Sequence, residues 1–244
     1  MLDELRKNLG RNVALIAHNE NGLVVLEKPC GVLSHPNENG CDPMALLTCP
    51  YDFSEQCYVG DGGGRIYLLN RLDSPVSGVI LLGLNREVAE AARVAFKNKM
   101  VEKTYTALAK GFPRHGSGIW RSRLHKNFAG KSIKMSTGFG VFAETKYEVV
   151  KSFRVHGVTL SVLNLFPISG RTHQLRVHCS QNNLPIVGDE TYGNIKFNVF
   201  FRKNFGHIRL FLHARKISLS YEVCGRSFNF AAETPVDFLG FLGK

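Results

Sequence analysis

The chain has 244 residues, 44% of them hydrophobic and 21% charged, which describes a folded chain long enough to bury a sizeable core and excludes a low-complexity or disordered spacer. With 31 Lys and Arg against 20 Asp and Glu, its formal charge of +11 favours a polyanionic partner, nucleic acid first, through counterion release, although composition alone also fits a basic protein with no such partner. No apolar run approaches the ~20 residues that span a bilayer, and the charged start Met1-Leu2-Asp3-Glu4-Leu5-Arg6-Lys7 lacks the apolar core of a signal peptide, so no membrane association and a cytoplasmic address are expected.

Leu23-Val24-Val25-Leu26 is a short apolar run closed by Lys28-Pro29, which predicts a buried strand entering a turn. His35-Pro36-Asn37-Glu38-Asn39-Gly40 continues as loop. The cysteines at 30, 41, 49, 57, 179 and 224 include no Cys-x-x-Cys pair, and their irregular spacing predicts reduced, partly buried thiols and no metal site. Periodicity is slight between residues 51 and 65. There Gly60-Asp61-Gly62-Gly63-Gly64 lacks the Lys-Ser/Thr and the following helix of a phosphate loop, which leaves a mobile surface loop as the expectation.

Ile66-Tyr67-Leu68-Leu69 predicts a strand that delivers Arg71 and Asp73 at its end, and Val79-Ile80-Leu81-Leu82 predicts the next strand. Asn85 is an N-cap candidate for a helix over 86–99, with Val88, Ala91, Ala92, Ala95 and Phe96 spaced for one buried face. Residues 101–109 alternate as a strand, which puts Lys103 and Tyr105 on the same face. Residues 114–134 are basic and read as peripheral loops. Further strands are predicted over 141–150 and 158–166, then a turn at Ser169-Gly170 and a helix over 172–181.

No linker, low-complexity tract or repeat divides the chain. One compact domain over 1–244 is expected, with 1–22 as an N-terminal extension. Many strands, few helices and no regular strand-helix alternation predict an α+β fold around a mixed, largely antiparallel sheet.

The polar chemistry concentrates in Arg71-Leu72-Asp73, in Lys103-Thr104-Tyr105 and in the run Gly170-Arg171-Thr172-His173-Gln174-Leu175-Arg176-Val177-His178. An acid, an arginine and a stacking ring on a basic chain suggest work on a nucleobase. Each segment alone is weak, since an Arg/Asp pair most often ends as a surface salt bridge and a lone Tyr on a strand as core. His173 and His178 lie five residues apart, about 140° around a helix, which argues for structural hydrogen bonds over a shared metal. His213 likewise reads as a packed residue.

Taken together, Asn70-Arg71-Leu72-Asp73, Val101-Glu102-Lys103-Thr104-Tyr105 and Gly170 to Arg176 resemble the three signature motifs of the RluA-type pseudouridine synthases. Leu26-Glu27-Lys28-Pro29-Cys30-Gly31-Val32-Leu33, Pro185-Ile186-Val187-Gly188-Asp189-Glu190-Thr191-Tyr192-Gly193 and Leu210-Phe211-Leu212-His213-Ala214 extend the likeness over about residues 23–235. The family usually has His where this chain has Asn70.

The resemblance implies a curved central sheet crossed by an active-site cleft, and an isomerase that turns uridine of tRNA or ribosomal RNA into pseudouridine with no cofactor. It implies Asp73 as the catalytic carboxylate, which attacks the anomeric carbon, adds to the base ring or removes a sugar proton. Arg176 is expected to pair with that carboxylate, Tyr105 to stack on the flipped uracil and assist proton removal from carbon 5, and Arg71 to help flip the base. Lys103 is expected to contact RNA, and Arg171 to support its loop or touch a phosphate. Asn70 either replaces the loop-fixing hydrogen bonds of the usual histidine or shifts specificity. RNA is the expected partner, with no obligatory protein partner and a monomeric state. The alternatives are an idle RNA-binding or assembly protein that uses the same cleft and, more distantly, a hydrolase built on Asp73, for which no second carboxylate is evident.

Overall fold

The computed structural model describes residues 1–38, 40–129, 132–206 and 209–240; positions 39, 130 and 131 of the expected loops lie outside these. In chain order the elements are α1 (Leu2–Lys7), β1 (Ala14–His18), β2 (Leu23–Lys28), β3 (Tyr51–Asp52), β4 (Cys57–Val59), β5 (Arg65–Leu68), β6 (Ser77–Gly83), α2 (Arg86–Lys97) and β7 (Val101–Lys110). There follow β8 (Ser117–Ala129), β9 (Ser132–Thr137), β10 (Val141–Val155), β11 (Val158–Pro167), α3 (Gln174–Gln181), α4 (Ile195–Phe205), β12 (Leu212–Val223) and β13 (Arg226–Glu233). The architecture is α+β. The chain packs as two compact units, Met1–Lys103 with Ala214–Thr234, and Thr104–His213 with Pro235–Lys244. Among the described residues no helix is long and apolar enough to cross a membrane.

In the first unit, β2 pairs antiparallel with β1 and β6, and β6 also pairs with β5, from which β4 and β3 continue. The unbroken apolar runs of β2 and β6 follow from burial of both faces. Val24, Leu26, Ile80 and Leu82 pack with Leu46, Leu47, Tyr58 and Ile66. Leu23, Val25, Val79 and Leu81 pack instead with Val88, Ala92 and Ala95 of α2 and with Ile217 and Leu219 of β12. The side chain of Asn85 caps α2, accepting from the Val88 N–H at 2.9 Å. The helix stops at Lys97 and not at 99, because Lys99 takes a left-handed φ of 59°.

Residues 51–65 hold two short strands that the sequence did not announce. The glycine stretch expected as a mobile loop is the tight turn between β4 and β5: Gly60 N–H donates to the Gly64 carbonyl at 2.9 Å, and Gly62 N–H donates to the Glu4 carboxylate at 3.2 Å.

In the second unit the strand order is β7-β11-β10-β8-β9, antiparallel throughout. The segment expected as peripheral basic loops over 114–134 is a correction to the sequence reading, since β8 and β9 occupy most of it as a hairpin. Its inward residues Trp120 and Leu124 are buried, and Trp120 stacks on Tyr147 of β10 at 4.3 Å between ring centroids. Exposed Arg121 and Arg123 alternate with them and give the strand its basic outer face. Helix α3 begins at Gln174, two residues later than expected, because His173 adopts a left-handed φ of 53°.

Within the first unit β12 borders β6 so closely at Gly78 (φ +119°) that a Cβ there would overlap the carbonyl of Ala214. Gly78→Ala is therefore expected to lower the unfolding free energy by at least about 2 kcal/mol, read as a lower urea midpoint at unchanged slope.

Candidate active site

The first unit holds Arg71 and Asp73 on the loop that leaves β5. That loop is fixed from β2. Lys28, at the end of β2 and fully buried, donates from Nζ to the carbonyls of Pro29 (3.0 Å), Val32 (2.6 Å) and Ser74 (3.0 Å). Gly31 N–H also donates to the Ser74 carbonyl at 2.8 Å. Buried Ser34 clamps Leu72 in both directions, its Oγ accepting from Leu72 N–H at 3.0 Å and donating to Leu72 O at 2.7 Å. Asp73, between these anchors, is half-buried, and its own carbonyl accepts from Val76 N–H at 2.9 Å.

Asn70, where the family usually has His, accepts from the Leu81 N–H at 2.7 Å through Oδ1. The residue thus ties the loop to β6. Arg71 is exposed, with Nη1 at 3.3 Å from His35 Nε2. Lys103 is half-buried at the end of this unit, and desolvation pushes its amine below the usual lysine range.

The second unit holds Tyr105, Arg171 and Arg176. Tyr105 is half-buried on β7, opposite Leu165 of β11. Arg176 is buried on α3 and donates from Nε to Asp189 Oδ2 and from Nη2 to Asp189 Oδ1, both at 2.8 Å, with its guanidinium 5.1 Å from the centre of the Tyr192 ring. Burial by itself would raise the Asp189 carboxyl, but the guanidinium and the backbone N–H groups of Tyr192 and Thr191 hold it below the usual carboxylate range. Asp189 was not singled out from sequence; a carboxylate inside the closing segment Pro185-Ile186-Val187-Gly188-Asp189 was the available signal.

Arg171 is exposed at the turn before α3. Its N–H donates to Gln174 Oε1 at 3.1 Å, and its Nε reaches the Phe142 carbonyl at 3.5 Å. Buried Gln174 also donates from Nε2 to Glu144 O and Thr145 Oγ1, both at 2.9 Å, so it anchors the turn to β10. The two histidines make the structural hydrogen bonds expected of them. His173 Nδ1 lies 2.8 Å from Tyr192 Oη, and His178 lies 2.9 Å from both Thr145 Oγ1 and Ser122 Oγ. His213 is buried. Among the described residues no group of three or more His, Cys, Asp or Glu is placed to hold a metal ion.

Each unit thus offers a braced loop or turn: one bears an acid and an exposed guanidinium, the other an arginine locked by a carboxylate. A sequence model of the family described as RNA pseudouridylate synthase matches residues 22–181. The ribosomal large subunit pseudouridine synthase C of Rickettsia bellii (strain RML369-C) is 30% identical over 225 residues, covering 91% of this chain and 69% of that protein. The tRNA pseudouridine synthase C of Yersinia pestis is 26% identical over 94% of this chain and 90% of that protein. Among solved structures, human RNA pseudouridylate synthase domain containing 1 superposes with a TM-score of 0.71 at 25% identity, covering 93% of this chain and 85% of that one.

Burial pushes the His178 imidazole down to about 4 from its ordinary 6.5. The fold keeps it neutral while the unfolded chain takes up the proton, so stability is full above pH 6.5 and declines as pH falls towards about 4. The expected loss across that window is about 3 kcal/mol, measured by urea unfolding against pH, and this part of the slope should vanish in His178→Gln.

Proposed function

Because the chain belongs to the RNA pseudouridylate synthase family, whose members are isomerases acting on RNA, we propose that it converts particular uridines of ribosomal RNA or tRNA to pseudouridine with Asp73 as the catalytic carboxylate. The observation that carries this reading is the occurrence of Arg71-Leu72-Asp73, Lys103-Thr104-Tyr105 and Gly170 to Arg176, in order, inside the matched residues 22–181. The bracing of the Asp73 loop by Lys28, Ser34 and Asn70 supports it, since a reacting carboxylate needs a fixed position.

In this reading both units act as one catalytic domain, in the cytoplasm and as a monomer. The bond from base nitrogen to sugar breaks, the uracil turns, and carbon 5 rejoins the sugar; carbon 5 then gives up its proton and the freed ring nitrogen gains one, so nothing is consumed. Arg176 orients the Asp73 carboxylate, and its own rigidity comes from Asp189. Tyr105 stacks on the flipped uracil and assists removal of the carbon 5 proton. Arg71 braces the place the base has left, an extrusion that costs a few kcal/mol. Lys103 and Arg171 contact the RNA, and the charge of +11 gathers it.

The test is pseudouridine formation on unmodified tRNA and ribosomal RNA transcripts. Wild type is expected to form product on one class, and Asp73→Asn to lose at least about a thousandfold in turnover while it keeps RNA affinity. Bound RNA without product from the wild type would favour an idle binder. RNA affinity should also fall at least about tenfold between about 50 and about 200 mM salt in a filter-binding titration; a flat dependence would contradict phosphate-dominated binding.

A further inference from the structure

Arg71 sits exposed on its loop, and a long exposed side chain samples many rotamers unless something orients it. His35 is so placed. Its Nδ1 lies 2.7 Å from the Pro36 carbonyl oxygen, which can only accept, so Nδ1 carries the ring proton. Nε2 then presents a lone pair, and Arg71 Nη1 donates to it at 3.3 Å.

The ring itself is held. It stacks on Tyr51 with centroids 5.0 Å apart and planes 17° apart, and meets Phe53 edge-on at 5.3 Å. Tyr51 is buried and in turn packs edge-on against Tyr58 at 4.9 Å, and the Tyr58 hydroxyl donates to the carbonyl of Ser34, the residue before His35. We infer that His35 is a positioning residue for the reaction: it fixes the guanidinium of Arg71 in the orientation in which it meets the RNA. The inference rests on the reading that Arg71 engages the target nucleotide. A neutral imidazole suits the task because it takes one hydrogen bond and leaves the positive charge and the remaining donors of Arg71 for the RNA. A carboxylate in its place would pair with the guanidinium bidentately and neutralise it.

The test is steady-state kinetics on the RNA that the wild type modifies, with His35→Phe, His35→Gln, Arg71→Ala and the double variant His35→Phe/Arg71→Ala. His35→Phe keeps the aromatic stack and removes the acceptor. It is expected to raise KM about tenfold, the size of one hydrogen bond to a charged group, with kcat within about twofold of wild type. His35→Gln should recover part of the loss, and His35→Phe should add nothing to Arg71→Ala. Wild-type KM in His35→Phe, or a loss that adds in full to that of Arg71→Ala, would overturn the inference and leave the ring a packing residue. If His35→Phe does not fold, His35→Leu decides by the same comparison, coupling supporting the inference and additivity overturning it. Wild-type kinetics in Arg71→Ala would instead remove the role of Arg71 on which the inference stands. Absence of product from the wild type on every RNA would remove both.

Discussion

Lys28 is fully buried at the end of β2, and its Nζ donates to carbonyls of Pro29, Val32 and Ser74. A polar head at that depth is tolerated only when acceptors converge on it, and here they come from two separate stretches of chain. Strand β2 is itself locked by burial of both faces, so the position of Nζ is inherited from the core. The carbonyl of Ser74, one residue beyond Asp73, is therefore placed by the same core that holds the sheet. Ser34 adds the second tie, at Leu72, and Asn70 the third, at Leu81. The loop is irregular in backbone yet fixed at residues 70, 72 and 74, which leaves Arg71 and Asp73 as the side chains between fixed points.

The second unit solves the same problem with a different chemistry. Arg176 and Asp189 are both buried, and the pair is bidentate, so removal of either partner would strand a charge in the interior. The backbone N–H groups of Thr191 and Tyr192 complete the acceptance at Asp189, and the Asn198 side chain of α4 donates to the Asp189 carbonyl at 3.0 Å. Helix α3 is thus oriented by polar contacts at its buried face, with Gln174 and His178 reaching β10. Gln174 and His178 on one face of α3, and Arg176 on the other, need partners at fixed places, which specifies one arrangement of helix and sheet more sharply than apolar contacts of the same area.

An isomerase must return every proton and bond it takes up, since substrate and product have the same atoms. Rigid presentation of a few side chains then matters more than any single strong contact. The structure meets this with satisfied polar groups under the loops, and the aromatic group of His35, Tyr51 and Phe53 extends it to the exposed arginine.

The sequence by itself determined the elements whose pattern is local. The apolar runs of β2 and β6, the strand β7, and the Asn85 cap of α2 with its Val88, Ala92 and Ala95 face all stand as read, because strand propensity, helix period and capping act over a few residues. The three motifs and their family were legible for the same reason, as short strings of chemistry. Tertiary structure alone decided the rest. The hairpin of β8 and β9 hides its strands, because solvent-facing Arg121 and Arg123 mask the buried Trp120 and Leu124 beneath. The two-residue delay of α3 depends on the backbone of His173. Strands β12 and β13 and helix α4 take their stability from packing against distant elements. Among the site residues, the identity of each partner is a long-range fact: Asp189 for Arg176, His35 for Arg71, Leu81 for Asn70 and Ser74 for Lys28 are 13, 36, 11 and 46 residues apart. A sequence names the groups that must be satisfied, but which groups satisfy them depends on the path of the chain.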